Sequence, residues 1–203
     1  IQDISPYRLD TAYRGTAPVP DDCFFSFRGE DVLLRDMGDG HRSLPSFRDL
    51  GHPAGKMESR AVFLFRAGRE PVYLLGQEVN GCRGLGYFPI CELKDVLPEW
   101  VFFAGATALH LSRWYEGNRY CGRCGGRMER KPGQRTLACP ECGNTVYPGI
   151  APVVMVAVTD GDRLLMTKYA DHSLPQWVLI SGFVEAGETL EEAAEREVYE
   201  ETG

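Results

Sequence analysis

Gly182-Phe183-Val184-Glu185-Ala186-Gly187-Glu188-Thr189-Leu190-Glu191-Glu192-Ala193-Ala194-Glu195-Arg196-Glu197-Val198-Tyr199-Glu200-Glu201-Thr202-Gly203 is the stretch that decides how this chain folds. Thr189 followed three residues later by Glu192 forms a capping box, so a helix opens at Leu190 and stays favourable through Thr202. At about 100° per residue, Leu190, Ala193, Ala194 and Val198 define an inward face, and Glu197, Glu200 and Glu201 crowd the same side. Glu191, Glu192, Glu195 and Tyr199 fall opposite, where solvent explains them. Unpaired carboxylates turned toward a protein are costly, and hard divalent cations bound through oxygen remove that cost. The loop from Gly182 to Gly187 leads to the helix N-terminus, where a loop carbonyl would complete a metal's oxygen shell and the cation would bridge to a phosphate. Metal-assisted attack of water on phosphorus suits this arrangement. Two roles fit Arg196 beside Glu197: orienting a carboxylate, or balancing local charge.

Immediately upstream, the apolar run Val153 to Val158, the turn Asp160-Gly161-Asp162 and the segment Arg163 to Lys168 read as strand, tight turn and second strand. Before them lies Cys121-x2-Cys124-x14-Cys139-x2-Cys142, two knuckles whose four thiolates close a tetrahedron around Zn at a Zn–S distance of ~2.3 Å. Gly122, Gly125 and Gly143 allow the tight turns against the metal. Four protein ligands leave no open position, so this zinc is structural. Residues 119 to 150 carry a net +4, from Arg119, Arg123, Arg127, Arg130, Lys131 and Arg135 against Glu129 and Glu141, while the rest of the chain carries -11. Those cations either meet a polyanion or form a solvated face.

The first hundred residues read as strands and turns, with hairpins formed by Cys23 to Phe27 with Val32 to Leu34 and by Ala61 to Phe65 with Val72 to Leu75. Gly51 to Met57 reads as loop. Pro98-Glu99 opens a linking helix, with apolar residues at Val101, Phe102, Ala106, Leu109 and Trp114, that closes at Gly117-Asn118. The fold class is thus α+β or α/β, divided into an N-terminal β-rich domain over 1–117, a zinc ribbon over 118–148 and a third domain over 149–203.

Composition agrees with packed domains: 203 residues, 43% hydrophobic and 25% charged, are too rich in core formers for disorder. No apolar run approaches the ~18 residues of a membrane helix, which excludes a transmembrane role. No signal peptide is visible at Ile1-Gln2-Asp3, and the missing initiator Met marks a trimmed chain. Seven cysteines, four in close pairs, point to a metal site and a reducing cytoplasm rather than a disulfide framework; Cys23, Cys82 and Cys91 read as isolated thiols.

The pattern Gly182-x5-Glu188-x7-Arg196-Glu197-Val198-x-Glu200-Glu201-x-Gly203, 22 residues long, resembles the Nudix box. With the ribbon just upstream, with Tyr147-Pro148-Gly149-Ile150-Ala151-Pro152 leading into the first strand and Ser181-Gly182-Phe183 leading into the box, residues 98 to 203 are similar to the NADH pyrophosphatase (NudC-type) branch of that family. The resemblance implies an α/β/α Nudix sandwich behind a small N-terminal domain and the ribbon, assembled as a homodimer. It implies Mg- or Mn-dependent hydrolysis of NADH or NAD to nicotinamide mononucleotide and AMP, and removal of NAD caps from RNA. Carried over by position, Glu197, Glu200 and Glu201 are the catalytic metal ligands, Glu201 also lies near the attacking water, and Ser181 contributes its carbonyl to the metal. Phe183 and Tyr147 match aromatic substrate contacts, with packing in a turn as their other role, and Gln134 matches a substrate-contacting ribbon residue.

Family members continue past the box through further strands, a Ser-Gln-Pro-Trp-type motif and another acidic ligand, so the resemblance reads this chain as C-terminally truncated, with open apolar surface, and assigns the activity to the longer parent protein. Two other functions fit the same residues: hydrolysis of another nucleoside diphosphate derivative such as ADP-ribose, and a non-catalytic zinc-ribbon module that binds nucleic acid.

Overall fold

A computed structural model describes residues 4–13, 16–38, 40–51, 60–93, 97–168 and 176–203. It divides into two units, Ile1–Pro148 and Gly149–Gly203, each of mixed α+β character. Among the described residues no helix is long and apolar enough to cross a membrane.

Among the described residues the first unit holds eight strands ahead of the helix that begins at Glu99: β1 Leu9–Asp10, β2 Cys23–Phe25, β3 Phe27–Arg28, β4 Asp31–Asp36, β5 Arg42–Ser43, β6 Ala61–Ala67, β7 Glu70–Leu75 and β8 Leu85–Pro89. One sheet runs in the order β1-β6-β7-β2 and the other in the order β3-β4-β5, with β8 also paired to β4. The middles of β4, β6 and β7 read as continuous apolar runs because both of their faces are buried. Val72 and Leu74 of β7 enter one core with Phe25, Val32 and Leu34, while Tyr73 and Leu75 enter a second with Phe24, Leu33 and Phe47. In β6 the alternation breaks: Leu64 and Phe65, adjacent in sequence, both enter the first core. The cause is a register shift between Phe63 and Phe65, a bulge that adds one residue to β6 opposite β7.

Of the two expected hairpins, β6 and β7 pair antiparallel around Gly68, whose φ of 63° suits the tight turn. The other is corrected. Cys23 to Phe27 does not form one strand: β2 pairs parallel with β7, and only β3 pairs antiparallel with β4. The break falls at Ser26, whose fully buried hydroxyl lies 2.9 Å from the Gln77 carbonyl and 2.9 Å from the Tyr87 hydroxyl. Those bonds satisfy the buried side chain where the strand changes sheets. The loop expected over 51–57 lies outside the described residues from 52 onward.

Helix α1, Glu99–Gly117, packs Val101, Ala104, Ala108 and Leu111 into the first core. Ala106, expected on the apolar stripe, is exposed, since the buried positions follow the 101-104-108-111 spacing of one helical face. The ribbon follows as β9 Glu129–Arg130, β10 Leu137–Ala138 and β11 Thr145–Val146, in the sheet order β11-β10-β9.

In the second unit β12 Val153–Val156 pairs antiparallel with β15 Ile180–Phe183, and β13 Thr159–Asp160 with β14 Arg163–Leu164 around Gly161. The strand expected over 163–168 is shorter than its apolar run, ending at Leu164, and pairing resumes only at a Thr167–Val178 bridge. Helix α2, Leu190–Thr202, packs on β12 and β15. Its contact with them is narrow: Ala193 is buried, but Leu190 is exposed, as are Val153 and Met155 on β12.

Candidate active site and metal centre

The capping box forms as read: the Glu192 N–H donates to Thr189 Oγ1 at 3.2 Å, and the Thr189 N–H donates to Glu192 Oε2 at 2.8 Å. Just before it, Glu188 Oε2 accepts the Glu185 N–H at 3.0 Å, which closes the loop that enters the helix. Strand β15 and helix α2 thereby meet at a fixed angle around one side chain, Arg196. Its Nε donates to Glu188 Oε1 at 2.6 Å and its Nη2 to Glu188 Oε2 at 3.0 Å, a bidentate pair. Nη1 reaches Glu197 Oε1 at 2.9 Å and Glu200 Oε2 at 3.3 Å, and Nη2 also reaches the Phe183 carbonyl at 2.9 Å.

Of the two roles open to Arg196, the contacts select the first: it orients three carboxylates and ties the helix to the strand. Its guanidinium, with the Glu185 N–H behind it, holds the Glu188 carboxyl down to about 2. Glu188 is the partner that residue-by-residue reading leaves without a role. Its signal in the sequence is its place just before the N-cap, eight residues from Arg196.

Glu197 is half-buried against β15, where Gly182 makes room for its carboxylate. Glu200 and Glu201, placed by the helical angles on the inward side, are exposed. Arg196 draws Glu197 and Glu200 to one nitrogen, whereas Glu201 faces a separate concavity of about 290 Å³ lined by Thr167, Lys168, Val178, Ile180 and Ser181. The three carboxylates are therefore not gathered as a closed cage. Among the described residues, the cysteine set is the cluster whose ligand atoms all lie within 4.8 Å of one another. Glutamates on successive turns, one seated at a glycine and one facing a concavity beside Ser181, are oxygen donors of the kind that a hard cation takes. Phe183 is exposed on β15, and Tyr147 and Gln134 are exposed in the first unit.

The four thiols converge as their spacing requires. Cys121 and Cys142 Sγ lie 3.6 Å apart and Cys124 and Cys139 Sγ 3.4 Å apart, close to the ~3.8 Å edge of a tetrahedron with Zn–S bonds of ~2.3 Å. Each knuckle closes through a main-chain bond, Gly125 N–H to the Cys121 carbonyl at 2.9 Å and Gly143 N–H to the Cys139 carbonyl at 3.0 Å. Gly125 and Gly143 take positive φ, of 77° and 74°, and Gly122 does not. The N–H groups of Arg123 and Cys124 lower the Cys121 thiol to about 6, favouring the thiolate that metal needs.

Two of the six ribbon cations are used inside the first unit. Arg130 donates to the Ala61 carbonyl at 3.3 Å and Arg135 to the Leu64 carbonyl, both on the stretch of β6 that β1 leaves uncovered. Carbonyls three residues apart on a regular strand point to opposite edges, and the bulge in β6 restores the parity that lets both face the ribbon.

A glycine-led loop, a capped acidic helix and a four-thiol ribbon are the arrangement that the resemblance to the Nudix family leads one to expect. Comparison with family models agrees, with residues 149–203 matching the NUDIX domain and residues 118–147 the NADH pyrophosphatase zinc ribbon domain. Among curated proteins, the chain is 32% identical over 189 residues to the NAD-capped RNA hydrolase NudC of Deinococcus radiodurans, covering 91% of this chain and 64% of that protein. The proteins of the same name from Vibrio parahaemolyticus and Pseudomonas aeruginosa are 38% and 34% identical, over 57% and 66% of this chain and 45% and 49% of their own lengths. The chain thus spans about half to two thirds of the curated relatives it matches.

Proposed function

We propose that the protein is a metal-dependent hydrolase that splits the pyrophosphate bond of NADH or NAD into nicotinamide mononucleotide and AMP, and that removes NAD caps from RNA. The observation that carries this reading is the Arg196-centred acidic site on a glycine-led helix, in a chain that also holds the four-thiol ribbon. Its relatives with the name NAD-capped RNA hydrolase support the choice of substrate.

Glu197, Glu200, Glu201 and the Ser181 carbonyl would hold Mg2+ or Mn2+. Bound there, the ion would supply Lewis-acid polarisation of a phosphoryl oxygen and lower the pKa of an attacking water. Arg196 fixes Glu197 and Glu200 before substrate arrives, so little reorganisation remains for the reacting state. Glu201, which faces the concavity, takes the proton of the attacking water. Phe183 offers an exposed ring for base stacking, worth about 1–3 kcal/mol per base, and Tyr147 and Gln134 are further substrate contacts. The same reading takes residues 1–117 as an N-terminal domain, 118–148 as the ribbon and 149–203 as the catalytic domain, in a cytoplasmic homodimer.

Incubation of the purified protein with NADH and Mn2+ is expected to yield AMP and reduced nicotinamide mononucleotide in equal amounts, and Glu201→Gln to lose nearly all of it. AMP from ADP-ribose but not from NADH would move the substrate. Absence of product from every nucleoside diphosphate derivative would overturn the hydrolase.

A further inference from the structure

Residues 149–203 contain eleven acidic side chains and three basic ones, Arg163, Lys168 and Arg196. A substrate with a diphosphate meets a strongly anionic unit, and each of its two phosphates needs a cation. Arg196 cannot serve, because its donors are committed to Glu188, Glu197, Glu200 and the Phe183 carbonyl. Arg163 lies on the β13–β14 hairpin.

Lys168 differs from both. It lines the concavity that Ser181 and Glu201 also line, next to the Thr167–Val178 bridge. That bridge is doubly bonded, Thr167 N–H to the Val178 carbonyl at 2.8 Å and Val178 N–H to the Thr167 carbonyl at 2.9 Å, so the backbone beside Lys168 is fixed. Its ammonium lies 5.8 Å from the ring centroid of Trp177, the residue before the bridge residue Val178, and among the described residues no carboxylate pairs with it. An aromatic face restrains a lysine without neutralising it, which leaves its three N–H donors available to an anion. Cations held over a ring and aimed into a concavity are suited to phosphate, for which lysine acts as a point charge.

We infer that Lys168, restrained by Trp177, is the diphosphate anchor of this site and sets substrate affinity from the concavity that it shares with Ser181 and Glu201. The inference rests on the diphosphate reading above, and its test separates the two. Calorimetric binding of inorganic pyrophosphate with Mn2+ and steady-state kinetics on NADH are measured for the wild type, Lys168→Met, Lys168→Arg and Arg163→Met. Lys168→Met is expected to weaken pyrophosphate binding and to raise KM about tenfold, the size of one charge-assisted hydrogen bond at an exposed site, with a smaller change in kcat. Lys168→Arg should restore most of the affinity, and Arg163→Met, which removes the same charge, should leave it unchanged.

Unaltered pyrophosphate binding by Lys168→Met, or equal losses from Arg163→Met, would overturn the anchor. So would failure of the wild type to bind pyrophosphate. Wild-type protein that binds pyrophosphate through Lys168 but releases no AMP from NADH would overturn the hydrolase reading and leave the anchor standing.

Discussion

The carboxylate of Glu197 occupies the space that a side chain at Gly182 would need, since a Cβ built on that glycine falls far inside van der Waals contact with its Cδ and both oxygens. Gly182 is not in the left-handed region, so an alanine there meets no backbone strain. The obstacle is the far end of a flexible side chain, and it is the carboxylate that must move. Gly182→Ala is therefore expected to keep unfolding free energy within about 1 kcal/mol of wild type. It should displace Glu197 from Arg196 and lower Mn2+ affinity at least ~tenfold, the scale of losing one oriented ligand. Chemical denaturation and Mn2+ titration of the same sample check both halves, and a large stability loss with intact Mn2+ binding would refute the assignment.

Arg196 links pH to stability through Glu188. The carboxyl of Glu188 is held at about 2 in the fold against an ordinary 4.5, first by the Arg196 guanidinium and then by the Glu185 N–H. A folded value below the unfolded one means that the contribution is complete above about pH 4.5 and disappears as pH falls toward 2. Arg196→Met should raise the Glu188 value, lower the thermal midpoint at pH 7 and flatten its acid dependence between pH 4.5 and 2. A carboxyl NMR titration of Glu188 reads the first directly. An unchanged value in the variant would show that the main-chain donor alone suffices.

Local chemistry was legible in the sequence and long-range pairing was not. The box helix depends on contacts between near neighbours, Thr189 with Glu192, so its start follows from the residues themselves. The four cysteines likewise announce their convergence through spacing. The parallel pairing of β2 with β7 joins segments about fifty residues apart, and Phe24 and Phe25 are as compatible with a hairpin as with a parallel strand. Arg130 and Arg135 read as surface charge because their acceptors are main-chain carbonyls exposed by a bulge, which leaves no mark in side-chain pattern. Helical angles put Glu200 and Glu201 on the inward side, but exposure depends on what covers a face, and among the described residues α2 packs chiefly on β12 and β15.

Arg135 provides the test of that bulged edge. Its guanidinium is partly buried, lies 5.6 Å from the Tyr13 ring centroid and donates to the Leu64 carbonyl. Arg135→Met keeps an apolar stem over Tyr13 but leaves the carbonyl without its charged donor, which should cost about 1.5–3 kcal/mol. Arg123→Met, an exposed ribbon cation, should stay within about 0.5 kcal/mol. Urea unfolding followed by fluorescence of Trp100 and Trp114, both on α1, distinguishes them. Equal effects would mean that the edge is not held by Arg135.

Metal removal addresses the ribbon as a whole. Its three strands have two residues each, and the apolar cluster beneath them consists of Met128, Leu137 and the ligands Cys121 and Cys139 themselves, with half-buried neighbours such as Trp114 and Val146. A core of that size does not hold a fold without a staple, so the free energy of binding zinc becomes the free energy of folding the ribbon. Elemental analysis is expected to find one zinc per chain. A strong chelator should abolish amide-exchange protection across 121–146 and, by freeing Arg130 and Arg135, expose the Ala61 to Leu64 stretch of β6 as well. Protection in β7 from Val72 to Leu75 should persist, because those residues sit between two cores that contain no metal ligand. Protection of 121–146 that survives chelation would show that packing on α1, and not the metal, holds the ribbon together.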